Sequence, residues 1–448
     1  MMSPAARRTV RVAVLGAGNV GGALCRILLS DSAGVSARAG VELELVGVAV
    51  AHPERDRPGI SQELVTGDAK GLATDPRVDV VVELMGGIDP ARVVVEAALS
   101  AGKPVVTGNK ELIAAHGADL ARAASQAGVD LLYEAAVAGA IPLVRALRDS
   151  LAGESIRRVM GIVNGTTNFI LTMMADEGVA YEEALAEAQR LGLAERDPTA
   201  DVEGFDAAAK VAILAGLAFR CDFPTDLVHR EGIVGLRGVD IGFADRLGYV
   251  VKLLAVAERT DLPVAVDPEH EAGGTPEVSV RVHPALVPHA HPLASVRGSF
   301  NAVFVEGASC GELMLYGRGA GGSPTASAVL GDLIDAASHL TSGVPGRAVP
   351  RGGVRTRPIE ELRCAWYLNM DVFDRPGVLG AVATVFGDHG VSIRSMEQVG
   401  LGDEARLIFL THIAREGDIR ATLVGLHELD MVEHVGGVLR VAGDEEDA

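Results

Sequence analysis

Three carboxylates and a lysine lie close together in one short stretch of the chain and have the chemistry for proton transfer. Asp201, Glu203 and Asp206 precede Lys210, and a helix is predicted to begin at Asp206 after a loop. Asp206 and Lys210 are four residues apart, so they share one face of that helix. A buried lysine beside carboxylates can exchange a proton with a substrate oxygen. Taken alone, the stretch fits a surface ion pair better, so its function depends on what accompanies it elsewhere in the chain.

The composition indicates a large protein with several domains and no nucleic-acid partner. The 448 residues predict about two to four domains, and 48% of them are hydrophobic. A net charge of −20 and an aromatic content of 4% argue against nucleic acid as a ligand. The four cysteines are scattered, which fits a reducing compartment and no structural zinc site. We see no signal peptide and no run of about 18 apolar residues, so we expect a cytoplasmic protein without a membrane span.

Residues 1–145 are predicted to form a dinucleotide-binding domain. A short apolar strand at 10–15 leads into the GxGxxG segment 16–21, and a helical pattern follows. In this order of elements, the glycines let backbone N–H groups approach a pyrophosphate at a helix N-terminus. The second strand, 43–50, does not end in the acid that often holds the ribose of NAD, and Arg55 and Arg57 lie just beyond it. This favours NADP, unless the arginines only coat a loop.

Two later segments of this domain carry candidate ligand groups. One strand ends in the polar run from Thr107 to Lys110, and ligands of doubly wound sheets lie beyond such strand ends. A solvated loop lysine is the common alternative for Lys110. The small-residue segment 134–142 exposes backbone carbonyls that suit a monovalent cation, unless it is only a tight crossover between domains.

Residues 146–342 are predicted to form a second domain, whose last helix returns to the first. A strand at 156–163 ends in the polar run 164–168, which can cap a helix or bind a small polar ligand. A second glycine-rich loop, 316–325, opens a long helix and either meets the cofactor or serves only as a helix entry. Three histidines lie among prolines and are predicted to be loop residues, because their spacing fits no zinc site; they are His283, His289 and His291.

The pattern restarts after a linker at 343–363 that is rich in proline, glycine and arginine. Strand and helix signals over 364–448 follow the order βαββαβ, which predicts a small ferredoxin-like module. This region carries no catalytic cluster, so we expect it to sense a ligand or to support assembly.

Taken together, these segments resemble the monofunctional homoserine dehydrogenases of bacteria over nearly the whole chain. The telling matches are 80–88, 107–110, 161–168 and 204–210. The tail resembles an ACT domain, a module that commonly binds amino acids, most clearly at 374–379. The resemblance implies an α/β protein with a Rossmann-type doubly wound sheet, an α+β catalytic and dimerisation domain and a C-terminal ferredoxin-like ACT module. No aspartokinase region precedes the first domain, so the fused two-enzyme form is not expected.

The same resemblance implies NAD(P)-dependent interconversion of L-aspartate 4-semialdehyde and L-homoserine, on the route to threonine, methionine and isoleucine. The implied catalytic residues are Lys210, Lys110 and Asp206. The implied substrate-binding residues are Glu195, Asp201, Asp206, Gly165 and Thr166. The implied cofactor contacts are Gly16, Gly18, Asn19, Val20, Gly21, Thr107, Lys110 and Gly321. A sodium site is implied at the carbonyls of Glu134, Val137, Gly139 and Ile141.

Two positions depart from the family pattern. Ala200 stands where some members carry a second aspartate, so that acid is dispensable or compensated. Ala51 stands where many members carry an arginine, which weakens the case for NADP.

The resemblance further implies a homodimer or homotetramer, and threonine is the expected effector at the tail. A non-catalytic amino-acid sensor with a dinucleotide fold is the rival class, but a sensor needs no proton donor beside a nicotinamide. The other alternative is a dehydrogenase for a different semialdehyde. An aspartate-semialdehyde dehydrogenase would need a nucleophilic cysteine, and none of the four cysteines has a motif that suggests one.

Overall fold

The computed structural model describes residues 8–260, 275–344, 346, 351–400, 402 and 404–443. The elements in the first part of the chain are β1 (Thr9–Leu15), α1 (Asn19–Ser30), α2 (Ser32–Ala39), β2 (Glu42–Ala49), β3 (Val65–Thr66), α3 (Ala69–Thr74), β4 (Val80–Glu83), α4 (Asp89–Ser100), β5 (Val105–Thr107), α5 (Lys110–Ala127), β6 (Leu131–Leu132) and α6 (Leu143–Arg145).

The middle of the chain contains β7 (Ile156–Ile162), α7 (Gly165–Glu177), α8 (Tyr181–Arg190), α9 (Thr199–Val202), α10 (Phe205–Ala218), β8 (His229–Arg230), α11 (Gly238–Arg246), β9 (Tyr249–Arg259), β10 (Glu277–Pro288), β11 (Phe300–Gly307), β12 (Gly311–Arg318) and α12 (Gly322–Ser342). The last part contains β13 (Arg355–Thr356), β14 (Arg363–Cys364), β15 (Trp366–Phe373), α13 (Val378–Asp388), β16 (Ile393–Gly400), β17 (Glu404–Thr411), β18 (Ala414–Arg415), α14 (Glu416–His427) and β19 (Val432–Val441).

The chain divides into two compact units. The first takes in the described residues of Met1–Ile156, Ala209–Asp226 and Glu306–Val354, and the second those of Arg157–Ala208, Leu227–Val305 and Arg355–Ala448. Each unit therefore combines segments that are far apart in the sequence. The domain limits that we derived from the sequence alone remain predictions.

The first unit is built on a six-stranded parallel sheet in the order β3-β2-β1-β4-β5-β6. Its strands are runs of valine, alanine and leucine because both faces of the sheet are covered. Val12 and Val14 of β1 belong to one core, and Ala13 and Leu15 to the core on the opposite face. The predicted doubly wound, Rossmann-type sheet is confirmed.

Helix α12 packs on this sheet although its first residue, Gly322, comes 190 residues after Leu132, the end of the last strand. Val329 and Leu333 of α12 share a core with Leu24 of α1 and with Val80 and Val82 of β4. The entry to α12, with its glycine-rich loop, is therefore fixed in the same unit as the first glycine turn.

In the second unit, one sheet continues from the middle of the chain into the tail. The strand order is β11-β7-β9-β10-β19-β15-β17-β16. Strand β19 closes the predicted βαββαβ unit against β15 and also pairs in parallel with β10 through Ala285 and Arg440. The tail's core forms between its sheet and α13 and α14, around Phe386 and Phe409.

The loop prediction is wrong for His283. Strand β10 runs through the prolines from Glu277 to Pro288, and His283 lies inside it opposite Leu254, with 3% of its surface exposed. Pro284 falls between the stretches of β10 that pair with β8 and with β19, so its missing N–H interrupts neither pairing.

A buried lysine connects β9 to α7. Lys252 is 2% exposed, donates to Asn168 Oδ1 at 3.0 Å and also bonds to the carbonyl of Val296. Asn168 in turn donates to the carbonyl of Gly298 at 2.8 Å. These contacts fix the helix that begins at the predicted substrate loop. Burial, together with nearby Arg297, lowers the pKa of Lys252 to about 8.

This lowered pKa predicts how stability changes with pH. Between about pH 8 and the ordinary lysine pKa near 10.4, the unfolded chain binds more protons than the folded chain at this position. The folded state therefore gains stability as the pH rises through that window. We expect the free energy of unfolding of the parent, relative to Lys252→Met, to rise by about 2 kcal/mol from pH 8 to pH 10. Urea unfolding of the parent and of Lys252→Met at pH 8 and pH 10 measures this difference. An equal change in the free energy of unfolding of both proteins would contradict the prediction.

Candidate active site

The first glycine turn has a shape that side chains would block. Gly16 has a φ of +96°, and a Cβ there would lie 2.3 Å from the carbonyl oxygen of Leu84. A Cβ at Gly21 would lie 1.9 Å from the carbonyl oxygen of Gly16. Helix α1 begins just beyond, at Asn19, with Gly18 at its N-cap and no acid in its first turn. Its first N–H groups thus keep the partial positive charge that suits a pyrophosphate.

The second glycine-rich loop lies beside this turn. Gly321 has a φ of +126° and is the N-cap of α12. A Cβ on the next residue, Gly322, would lie 2.9 Å from the carbonyl oxygen of Asn19. The starts of α1 and α12 therefore approach each other, as the sequence hypothesis of a second cofactor contact requires.

A closed set of hydrogen bonds connects the ends of β4 and β5. The fully buried carboxylate of Glu83 accepts from the Thr107 hydroxyl at 2.5 Å and from the Met85 N–H at 2.7 Å. The Thr107 hydroxyl accepts from the Asn109 N–H at 3.0 Å, and the Asn109 side chain donates to the carbonyl of Gly87 at 2.7 Å. Burial raises the pKa of Glu83, although these donors oppose the rise.

This set of bonds also positions Lys110. Asn109 Oδ1 accepts the N–H of Leu112 at 3.0 Å and so caps α5, whose first residue is Lys110. The Thr107 hydroxyl donates to Glu83 and accepts from Asn109, so it helps to hold the two loops in place. The role of Glu83 in holding these loops was not predicted from the sequence. The available signal was a single acid at the end of a run of valines.

The predicted cation loop contains two consecutive left-handed residues. Ala138 and Gly139 have φ values of +57° and +56°, and a Cβ at Gly139 would lie 2.3 Å from the carbonyl oxygen of Gly319. Of the predicted carbonyl ligands, Glu134 already accepts from the Val137 N–H at 3.4 Å and Ile141 from the Leu143 N–H at 2.8 Å. A carbonyl oxygen has a second lone pair, so a cation remains compatible with these bonds.

Two buried acids, Glu134 and Asp332, hold this loop through hydrogen bonds to backbone N–H groups. The Glu134 carboxylate accepts from the N–H groups of Val144 and Arg145 at 2.9 and 2.7 Å. The Glu134 N–H donates to Asp332 of α12 at 2.7 Å. Burial, reinforced by the nearby Glu134 charge, raises the pKa of Asp332 to about 7. The sequence gave no sign of this contact, because the two acids are 198 residues apart.

In the second unit, one amide holds both predicted substrate carboxylates. Asn164 Nδ2 donates to Asp201 at 2.7 Å and to Asp206 at 2.9 Å. Its Oδ1 accepts the Thr167 N–H at 2.9 Å and caps α7, which is one of the two roles expected for the polar run. Asn164 and Asp206 are both buried, so this contact excludes most solvent.

The neighbouring loop residues are packed around this contact. A Cβ at Gly165 would lie 2.6 Å from the carbonyl oxygen of Ser299. The Thr166 hydroxyl donates to the carbonyl of Leu193 at 2.8 Å, just ahead of Glu195. The Glu195 side chain is exposed and its backbone accepts from Gln189 at 3.1 Å.

Helix α10 carries the acid and the lysine with which the sequence hypothesis began. Asp206 lies in its first turn and is buried, and Lys210 lies one turn later and is half-buried. The helix begins at Phe205, one residue earlier than predicted. An acid in the first turn is stabilised by the helix dipole, and a lysine four residues on is well placed to pair with it.

Comparisons with known proteins match this arrangement along the chain. The family described as homoserine dehydrogenase matches residues 142–334, its NAD binding domain matches 16–134, and the ACT domain matches 366–423. The homoserine dehydrogenase of Corynebacterium glutamicum is 48% identical over 438 residues, which is 97% of this chain and 96% of that protein. The chain belongs to the homoserine dehydrogenase family.

Solved homoserine dehydrogenases share the fold. The enzyme from Thiobacillus denitrificans has a TM-score of 0.89 at 38% identity and covers 97% of this chain and 98% of its own. A hyperthermophilic archaeal homoserine dehydrogenase in complex with NADPH has a TM-score of 0.61 at 28% identity, over 75% of this chain and 99% of its own. The chain is thus an NAD(P)-dependent oxidoreductase of homoserine with a C-terminal ACT domain. No described helix is both long and apolar enough to cross a membrane.

The contact of Asn164 with two acids generates a prediction for this homoserine dehydrogenase. Asn164→Ser keeps a helix-capping oxygen but removes the amide that donates to Asp201 and Asp206. The two carboxylates then lose a shared donor and repel each other. We expect the KM for homoserine to rise at least tenfold while the KM for the cofactor changes less than twofold.

Steady-state kinetics with each substrate varied in turn measures both constants. Asp68→Ser, which exchanges the capping residue of α3 far along the sequence, is the matched control and should leave both KM values unchanged. Equal effects of the two substitutions on the homoserine KM would contradict a role for Asn164 beyond capping.

Proposed function

We propose that Lys210 and Lys110 serve the proton transfer to homoserine's reacting oxygen and that Asp201, Asp206 and Glu195 bind the substrate. The observation that carries this is the buried amide of Asn164, which holds Asp201 and Asp206 together at the start of α10. Asp206 is buried and Asp201 is half-buried, and two carboxylates held this close repel each other, which favours a ligand-binding role over a purely structural one. Glu195 is exposed, which suits a residue that meets the substrate's amino group.

The proposed mechanism uses one lysine as acid and base. The bound nicotinamide cofactor supplies the hydride in the reducing direction. A cationic lysine donates its proton to the aldehyde oxygen of aspartate semialdehyde, and in the reverse direction it accepts the hydroxyl proton of homoserine. The neighbouring ammonium stabilises the negative charge that develops on the same oxygen. Glu83, Thr107 and Asn109 hold the start of α5, and so keep Lys110 in place for this role.

Removal of the Lys210 amine tests the proposed function. Lys210→Ala should lower kcat at least a hundredfold, since positioned proton transfer contributes about 10²–10⁴-fold. The affinity for the cofactor, measured by fluorescence titration of the reduced nicotinamide, should stay within about twofold. Lys70→Ala removes an exposed lysine and should leave kcat unchanged. Near-normal turnover of Lys210→Ala would reject the proposed role.

NADP is the proposed cofactor. The strand β2 ends at Ala49 without an acid at its end, and the archaeal relative binds NADPH. Arg57 donates to the backbone carbonyls of Arg55 and His52 at 2.7 and 2.9 Å, so it serves the loop itself and leaves Arg55 as the candidate for the extra phosphate.

Arg55→Ala tests this choice. We expect it to lower kcat/KM for NADP by about tenfold, because one charged hydrogen bond to the phosphate contributes about 1.5 kcal/mol, and to leave kcat/KM for NAD unchanged. Initial rates with both cofactors measure the ratio. A parent enzyme with higher kcat/KM for NAD than for NADP would contradict the proposal outright.

A sodium ion is proposed at the carbonyls of Glu134, Val137, Gly139 and Ile141. The two left-handed residues at 138 and 139 and the buried support by Glu134 and Asp332 favour a loop shaped for such a ligand. Activity that is the same in sodium and in tetramethylammonium buffers would count against it.

Threonine is the proposed effector, at the turn from Asp374 to Leu379 of the ACT domain. The exposed residues 374–377 precede α13, whose N-cap Gly377 has a φ of +92°. A full-length variant tests this better than a deletion, because removal of β19 would also remove the partner of β10.

We expect threonine to inhibit the parent and to inhibit Asp374→Asn at least fivefold more weakly, because the variant loses a carboxylate that can receive the ammonium group of an amino acid. Inhibition curves with threonine and, as a control, with glycine measure this. Equal inhibition of both proteins by threonine would place the effector elsewhere. The proposed dimer or tetramer is decided by sedimentation velocity of the same samples.

A further inference from the structure

A buried arginine of the C-terminal module bonds to a glutamate outside it. Arg440 of β19 is 5% exposed, and its guanidinium donates to both carboxylate oxygens of Glu231 at 2.7 and 2.9 Å. The same guanidinium donates to both oxygens of Glu416, the first residue of α14, at 2.8 and 3.0 Å. A planar guanidinium with two carboxylates has a fixed geometry, so it connects the two parts of the sheet rigidly.

This contact is fully charged. Burial acts to raise the pKa of Glu231, but hydrogen bonds from His229 and Arg440 outweigh it and hold the pKa far below its usual range. Glu231, Glu416 and His229 place their ligand atoms within 4.8 Å of one another, a spacing that also suits a metal ion. Arg440 already supplies positive charge to both carboxylates, so the arginine rather than a metal is the partner that this structure supports.

The segment that follows β8 connects Glu231 to the neighbourhood of the substrate acids. Arg230 donates to the carbonyl of Glu203 at 2.5 Å, and the Ile233 N–H donates to the carbonyl of Val202 at 2.8 Å. A Cβ at Gly232 would lie 2.4 Å from that same Val202 oxygen. The residues on both sides of Glu231 therefore lie directly against the backbone at 202–203.

We propose that the Arg440–Glu231 ion pair is a positioning contact through which the C-terminal module sets the placement of Asp201 and Asp206. Residues 202 and 203 lie between these two acids, and the segment 230–233 fixes their backbone. Arg440 fixes that segment in turn. The inference rests on the proposed role of the two acids in binding homoserine. It makes Glu231 and Arg440 positioning residues for the substrate, and a ligand that shifts β19 would alter homoserine binding through them.

Glu231→Gln in the full-length enzyme tests the proposal. The glutamine keeps the shape and one acceptor oxygen but removes the charge that orients Arg440. We expect the KM for homoserine to rise at least fivefold, with the KM for NADP and kcat within twofold of the parent. The matched control is Asp371→Asn, because Asp371 accepts from Arg406 at 2.6 and 2.9 Å in a similar two-bond pair inside the module. That control should leave all three constants within twofold.

A second measurement does not depend on catalysis. Amide hydrogen exchange of residues 199–206, followed by mass spectrometry without substrate, should be at least tenfold faster in Glu231→Gln than in Asp371→Asn. Should Glu231→Gln fail to fold, Arg440→Lys keeps the buried positive charge while losing the two-bond fork, and the same acceleration is expected. Equal exchange in the positioning variant and the control, together with an equal homoserine KM, would overturn the proposal.

Asp201→Asn separates this inference from the function on which it rests. An unchanged homoserine KM in Asp201→Asn would contradict the proposed role of that acid. The hydrogen-exchange measurement alone would then show whether the Arg440–Glu231 pair positions residues 199–206. A raised homoserine KM in Asp201→Asn, combined with parent-like exchange and KM in Glu231→Gln, would reject only the Arg440–Glu231 contact.

Discussion

Buried carboxylates must be satisfied by donors, and this requirement fixes the loops at the ends of both sheets. The strands of the parallel sheet are mostly small apolar residues, which bury well but offer few groups that could hold a loop in one place. Glu83 connects the ends of β4 and β5, and Glu134 connects the loop at 134–142 to the start of α6. Half-buried Glu231 makes a similar connection between the segment after β8 and β19. An unsatisfied buried carboxylate costs several kcal/mol, so the loops held by Glu83 and Glu134 each have one preferred arrangement.

Much of the fold could be predicted from the sequence because the deciding forces are local. The strand, glycine turn and helix at 10–30 follow from apolar periodicity and from the space that Gly16 and Gly21 must leave. The βαββαβ order of the tail was predicted for the same reason. Of the two roles expected for the polar run at 164–168, helix capping is seen in the structure, and it could be expected because capping depends only on neighbouring residues.

The contacts between distant residues could not be predicted. Thr107 lies 24 residues from Glu83, Asp201 lies 37 from Asn164, and Arg440 lies 209 from Glu231. Nothing in a local pattern identifies which acid meets which donor over such separations. The loop prediction for His283 was wrong for a related reason. The prolines around it predict a loop unless the strands that pair with β10 are known.

The ambiguity of the stretch that ends in Lys210 has the same origin. An acid in the first turn of a helix and a lysine four residues later are favourable on any protein surface, since the dipole and the pairing both support that order. The spacing therefore cannot separate a surface pair from a reactive one. What separates them is the burial of Asp206 and its second partner, because a surface aspartate needs no amide from 42 residues away. Asn164 supplies that amide to two acids at once, and this arrangement places two negative charges side by side where a positively charged group of a substrate would be favoured.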